Sequence, residues 1–350
     1  MNRSLRVWVL SDGLPGHVNQ ARGLIRRIAG LRDIEHQEHK VQLRWRLLRP
    51  LMRWVLNQRK SWAAMVVRSA YVGLPSSVEP PDLIVSAGGN TSFANVMLAR
   101  QFGVNNFFMG SLRGLDAGLF TTVFSLQPLT SRHDKKIANN TVMPILPPDS
   151  DPSESTAEAQ KLRSRFPQSR MGAVLVGGDG SGYRFTNADW QALAAAMNAL
   201  SQQHRVVWLL TTSRRSGVNA EALLKRLLEP ESIAEAVWYQ QDSRNRNSVF
   251  LHAADVVLCS EDSMSMLHEA LAADAPVLSF APLEARPPER YREKIQQLTD
   301  QGYVQRCSIA ELNSLDLGAV LSQPRNKRPD WRVTFDALLQ PLLDAITPMQ

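Results

Sequence analysis

Cysteine is almost missing from this chain: Cys259 and Cys307 are the only 2 in 350 residues. Two thiols cannot build a disulfide framework; they fit a reducing cytoplasm and read as buried structural residues. Long apolar runs are missing as well. Nothing approaches the roughly 20 apolar residues that span a bilayer. The apolar stretch in the opening MNRSLRVWVLSDG is too short for a signal peptide. Familiar catalytic signatures are also absent. No G-x-G-x-x-G follows the first apolar run, no G-K-[ST] closes a phosphate loop, and no G-x-S-x-G elbow occurs. Dehydrogenase, kinase, ATPase and serine-hydrolase readings lose ground accordingly.

Acidic charge is missing from one long stretch. Between His39 and Val78 there is no Asp or Glu, whereas Lys40, Arg44, Arg46, Arg49, Arg53, Arg59, Lys60 and Arg68 are basic. The chain as a whole carries 40 Lys and Arg against 33 Asp and Glu, a net charge of +7. Trp45, Trp54 and Trp62 lie in the same segment. A local field of one sign implies an anionic partner. Pro50 suits a first helical position, after which Leu51, Met52, Val55 and Leu56 share one helical face and Arg53 and Lys60 the other. Segment 40–68 therefore reads as an interfacial helix on an anionic membrane surface, not as a nucleic-acid-binding element. Packing of the same apolar face on a sheet is the alternative.

What remains is an ordinary globular composition, 44% hydrophobic and 21% charged, in a chain long enough for two domains. Apolar runs alternate with helical patterns, which predicts α/β folding with mostly parallel strands. Strands are expected at RVWVLS, VQLRW, DLIVSAG, NNFFMGS and TTVFSL, with helices near 17–29, 50–70 and 91–102. MPILPPDSDPSESTAEAQ then clusters Pro144, Pro147, Pro148 and Pro152, a linker by composition. A second α/β series follows, with strands at MGAVLVGG, RVVWLLTTS, AVWYQ, DVVLCSE and PVLSF and helices near 188–203, 217–229 and from Ser263. The expected division is an N-terminal domain over 1–145, a linker over 146–160, a C-terminal domain over 161–330 and a terminal helix over 331–350.

Three stretches could carry chemistry. SDGLPGHVNQARGL ends the first strand in a turn where Gly13 and Gly16 permit unusual backbone angles, and it sets His17 at a helix start. LVGGDGSGYRF follows a strand with Gly177, Gly178, Gly180 and Gly182 around Ser181, bare backbone that can approach phosphate; VSAGGNTSF does the same with Gly88, Gly89 and Asn90. DVVLCSEDSMSMLHEALAADAPVLSF runs strand, turn and helix, with Ser263 as N-cap and Ser265 in the first turn. A helix start can hold pyrophosphate without a cation, and Glu269 further along could accept hydrogen bonds from a ribose diol. Asp149 and Asp151 imitate a metal-binding pair but lie in the linker. His36 and His39 read as a polar loop without zinc spacing, and His252, Cys259 and His268 make no convincing ligand set.

With PERYREKIQQLTDQGYV added, these motifs make the chain resemble the bacterial relatives of the plant mitochondrial-fission "elongated mitochondria" protein. The likeness is tightest over Gly177–Val304 and weaker around 40–80 and 110–150, which counts against a binding role for His133 and Asp134. That family looks like the GT-B glycosyltransferases, so the resemblance implies two facing Rossmann-like doubly wound domains with a cleft between them. It implies pyrophosphate contacts at Gly177, Gly178, Ser263 and Ser265, ribose contact at Glu269, and base contact near Ser260 and Glu261, with Asp262 among the substrate-binding residues. The loop at Gly13, Gly16 and His17 resembles the acceptor loop of the peptidoglycan N-acetylglucosaminyl transferase.

The expected reaction is metal-independent and cofactor-free transfer from a nucleoside-diphosphate sugar to a cell-envelope glycan or lipid-linked acceptor. His17 is the first candidate for general base and Asp12 the second. A nicotinamide-dependent epimerase would need a Tyr-x-x-x-Lys pair, which Tyr71, Tyr183, Tyr239, Tyr291 and Tyr303 all lack. A non-catalytic membrane adaptor on the same fold is the rival reading. Either would sit in the cytoplasm, against the inner face of the membrane.

Overall fold

Short apolar strands separated by helices can pair only in parallel, because each connection must cross back over the sheet. The computed structural model describes residues 3–75, 79–130, 136–149, 152–242, 244–322 and 330–347. It divides into two compact units, 1–149 with 330–350, and 150–329.

In the first unit the order is β1 (Leu5–Ser11), α1 (Pro15–Leu31), β2 (Ile34–Lys40), β3 (Gln42–Leu43), α2 (Arg49–Asn57), α3 (Ala63–Ala70), β4 (Tyr71–Val72), β5 (Leu83–Ala87), α4 (Ser92–Phe102), β6 (Asn105–Met109), β7 (Thr122–Ser125) and β8 (Asn140–Val142). Six strands form one parallel sheet in the order β2-β1-β5-β6-β7-β8. Strand β5 is buried throughout, as a strand covered on both faces must be. The chain builds outward from β1 to β2, then crosses to the other side of β1 for β5. The loops after β1 and β5 therefore diverge and leave a crevice at the carboxyl ends, the place where open α/β sheets bind ligands.

The second unit repeats the plan with α5 (Pro152–Arg163), β9 (Arg170–Val176), β10 (Tyr183–Arg184), α6 (Asn187–His204), β11 (Val206–Thr212), α7 (Gly217–Leu227), β12 (Ile233–Val237), α8 (Asn247–Ala253), β13 (Val256–Ser260), α9 (Met264–Ala270), β14 (Val277–Ala281), β15 (Glu284–Ala285), α10 (Glu289–Asp300), β16 (Gln305–Ser308) and α11 (Leu317–Ser322). Its parallel sheet runs β12-β11-β9-β13-β14-β16, which places the switch point between β9 and β13. Helix α12 (Trp331–Asp344) belongs to the first unit. There it buries Trp331, Phe335, Leu339 and Leu343, pairs Asp336 with Arg27, and gives the Leu343 carbonyl to Arg32 at 2.7 Å.

Several sequence expectations are corrected. The polar stretch with His36 and His39 is the edge strand β2, held by its ladder to β1; its side chains are mostly exposed, so periodicity hid it. The strand expected at VQLRW shrinks to Gln42–Leu43, paired with Tyr71–Val72. The helix over 50–70 is two helices, α2 and α3, with Arg59 left-handed (φ 51°) in the break. The 146–160 linker is partly helix: Pro152 opens α5, and Ala159 and Leu162 are buried. Asp149 pairs with Arg26 at 2.9 Å and Arg22 at 3.8 Å; Asp151, His133 and Asp134 lie outside the described residues.

The inward face of α2 is also the reverse of the membrane expectation. Met52, Val55 and Leu56 are fully buried in the core with Val66 and Val67 of α3. The side chains left outside are Trp45, Leu47, Leu51, Trp54, Trp62 and Met65, with Leu47 92% and Met65 68% exposed. No helix among the described residues is long and apolar enough to cross a membrane.

Candidate functional site

Each unit gathers polar side chains at its own switch point. In the first, Asp12 follows the last residue of β1, and its carboxylate accepts the Leu14 N–H at 3.2 Å, closing the turn. Gly13 takes φ 77°, a conformation that favours glycine, and Pro15 opens α1. His17 then turns back so that Nδ1 lies 3.0 and 2.9 Å from the two Asp12 oxygens. A carboxylate can only accept, so Nδ1 carries the proton, and in the neutral ring the lone pair is then on Nε2. The Asp12 side chain is 6% exposed and that of His17 32%.

The loop after β5 completes the arrangement. Gly88 takes φ 87°, and a Cβ there would stand 2.2 Å from His17 Nδ1. Asn90 Nδ2 donates to Asp12 at 3.4 Å, and its Oδ1 accepts from Arg49 Nη2 at 2.7 Å. Tyr71 donates its hydroxyl proton to the Asn90 carbonyl, and burial pushes the Tyr71 pKa up. Asp12, Gly13, His17, Gly88, Gly89 and Asn90 are thus brought together. Gly16 faces open space, so nothing in the unit requires a glycine there.

In the second unit the glycine loop is bare because its neighbours press on it. A Cβ on Gly177 would lie 2.0 Å from Asp262, and one on Gly178 2.0 Å from the Arg215 carbonyl. Ser260 accepts the Gly177 N–H at 2.7 Å and donates to Asp262 at 2.6 Å, and Asp262 pairs with Arg215 at 2.7 Å. Burial raises the Asp262 pKa even against that guanidinium. Glu261 is fully buried and accepts from Arg306 at 2.7 and 2.9 Å, Ser279 at 2.8 Å and Tyr183 at 3.1 Å. Base contact was expected near Ser260 and Glu261; the side chains of both, and of Asp262, are inside, tying β13 to its neighbours.

Ser263 is the N-cap of α9, but its hydroxyl makes no capping bond, and Ser265 is exposed in the first turn. Ser181 is exposed and left-handed (φ 51°) beside Gly182. Glu269 accepts from Asn247 Nδ2 at 3.1 Å, and burial raises its pKa. Arg215, Asn247 and Arg306 were not singled out in the sequence, and Arg49 and Tyr71 were named there without a role at this site. The Arg214–Arg215 pair at the end of an apolar strand was a usable signal; the others join residues too distant in sequence to show one. Buried Cys259 and His268 serve no ligand set, and no cluster of three metal-ligating side chains occurs among the described residues.

The chain resembles solved structures across its whole length. It superposes on the glycosyltransferase of kitacinnamycin with a TM-score of 0.52 at 15% identity, covering 97% of this chain and 99% of that one. It superposes on S. aureus MnaA, solved with UDP, with a TM-score of 0.54 at 11% identity, covering 100% and 99%. At these identities the likeness is one of fold, GT-B. No curated protein matches the sequence. The model of the family described as "Mitochondrial fission ELM1" matches residues 15–323. This chain, with a parallel-sheet α/β domain on either side of residue 150, belongs to that family and has a GT-B-like fold.

Proposed function

We propose that the chain is a metal-independent glycosyltransferase that moves a sugar from a nucleoside-diphosphate sugar to a cell-envelope glycan or lipid-linked acceptor. The Asp12–His17 pair carries this reading. Asp12 holds Nδ1–H, so Nε2 takes the proton from an acceptor hydroxyl. The acceptor oxygen bonds to the anomeric carbon as the bond to the diphosphate breaks. Negative charge grows on the leaving diphosphate, and the hydroxyls of Ser181, Ser263 and Ser265, beside the Gly177–Gly178 loop, offset it.

Glu269 suits the ribose. Asn247 is its side-chain donor among the described residues, which leaves acceptor capacity for a diol. The UDP held by S. aureus MnaA supports a uridine diphosphate as the first carrier to try. The exposed Trp45, Leu47, Leu51, Trp54, Trp62 and Met65, set among Arg44, Arg46, Arg53 and Lys60, support peripheral attachment to the anionic inner face of the cytoplasmic membrane. The family's description names fission and not catalysis, which keeps the adaptor reading as the rival; that reading leaves the Asp12–His17 pair without a use.

Calorimetry with UDP and an assay of UDP-sugar turnover separate the two. Glu269→Ala is expected to weaken UDP binding by about 1.5–3 kcal/mol, the worth of a hydrogen bond to a charged group. His17→Ala is expected to leave UDP binding intact and lower turnover about 10²–10⁴-fold. If no nucleoside diphosphate binds the folded chain, the transferase reading falls.

A further inference from the structure

Three cations converge on the loops that hold Asp12 and His17. Lys40, the last residue of β2, lays its stem across Gly13: a Cβ there would stand 3.1 Å from Lys40 Cε and 3.7 Å from Nζ. Arg113 does the same at Gly89, where a Cβ would stand 2.4 Å from its Nε. Its own backbone is left-handed (φ 53°), an uncommon conformation for a bulky residue, and Gly114 follows at φ 79°. Arg49 reaches the third point of the loops through Asn90, with its Nε buried and without a hydrogen-bond partner.

Three arginines of this unit end on carboxylates, Arg22 on Glu38, Arg26 on Asp149 and Arg27 on Asp336, whereas Arg32, Arg68 and Arg100 end on carbonyl or amide oxygens. No ion pair forms at Lys40, Arg49 or Arg113 among the described residues, and Asp12 is paired with His17. Three cations without a carboxylate partner on adjoining loops make a local field of one sign, which an anion complements.

We infer that the first unit holds an anion site of its own, formed by Lys40, Arg49 and Arg113, which binds a phosphate or diphosphate group of the acceptor. The word acceptor rests on the transferase reading; the anion site does not. It narrows the acceptor to a sugar bearing both a free hydroxyl and a phosphate. Such a molecule comes either as a soluble sugar phosphate or as a lipid-linked one. Guanidinium and ammonium groups suit both, by charge-assisted hydrogen bonds to phosphate oxygens.

Inorganic pyrophosphate is the first probe, titrated into the full chain while the His17 ring resonances are followed by NMR. The His17 signals are expected to move on saturation. The exposed pair Lys40→Gln and Arg113→Gln together are expected to weaken that response tenfold or more, and Glu269→Ala to leave it unchanged. Static His17 signals, or an unaltered midpoint in the double variant, would overturn the site. Glucose 1-phosphate and phosphatidylcholine vesicles carrying a polyprenyl-linked sugar phosphate then distinguish the sources, a His17 response to either supporting the assignment. A response to neither overturns the acceptor role. Failure of UDP to bind would remove the transferase reading while the His17 response to pyrophosphate stood.

Discussion

His17 owes its position to a residue with no side chain. Gly88 takes a left-handed backbone, and a methyl group there would fall 2.2 Å from Nδ1. Gly88→Ala therefore carries two costs. The backbone conformation alone costs about 1–2 kcal/mol for any other residue, and the ring must leave Asp12. Urea denaturation is expected to show that loss of stability, with turnover as low as in His17→Ala and UDP affinity unchanged. Gly16 makes the control, since it lies within α1 and faces open space. Gly16→Ala is expected to stabilise by up to about 1 kcal/mol through helix propensity and to leave turnover alone. Equal behaviour of the two variants would mean that Gly88 does not position the histidine.

At the scale of elements, α2 and α3 show how one periodicity serves two surfaces. The sequence puts Leu51, Met52, Val55 and Leu56 on a common face; the core takes Met52, Val55 and Leu56 and leaves Leu51 exposed. What is left for a membrane is the rim: Trp54 and Trp62, with rings 5.9 Å apart, Lys60 over Trp54, and the fully outward Leu47. Sedimentation with phosphatidylglycerol vesicles is expected to capture the chain, weakening with salt, since each Lys or Arg near such a surface contributes about 1 kcal/mol. Leu47→Ser, Trp54→Ser and Met65→Ser together are expected to abolish capture without loss of folding. Capture that is equal on neutral vesicles, or unaffected by the triple change, would remove membrane attachment from the reading.

For the whole molecule the instructive element is α12. The chain leaves the first unit at residue 149 and returns to it at 330. The returning helix packs Phe335 edge-on against Phe124 at 6.0 Å and offers Trp331 to Arg27. Burying a large apolar side chain is worth about 1.5–3 kcal/mol, and Trp331, Phe335, Leu339 and Leu343 are all buried. Their sum rivals the entire stability of a typical domain, about 5–15 kcal/mol. Removal of residues 330–350 is therefore expected to leave the first unit unfolded or aggregating, with protease digestion confined to it and the second unit still cooperative in a thermal melt. An intact melt of both units after that deletion would show α12 to be an accessory.

The sequence by itself determined the fold class, the two α/β series and the strand-end loops where polar residues collect. Alternation of buried strands with helices leaves a chain few other options, and glycines mark where those strands end. It also put Asp12 and His17 five residues apart, close enough for one turn to join them. The tertiary structure decided which of the two is oriented by the other, because that depends on Gly88 and Asn90 arriving from β5. It decided that Glu261 is an internal anchor: Arg306 lies 45 residues away, and only the pairing of β14 with β16 brings it near. It decided which face of α2 meets solvent and that the last helix closes the first unit. Each of these rests on contacts between residues distant in sequence, where periodicity and local propensity carry no information.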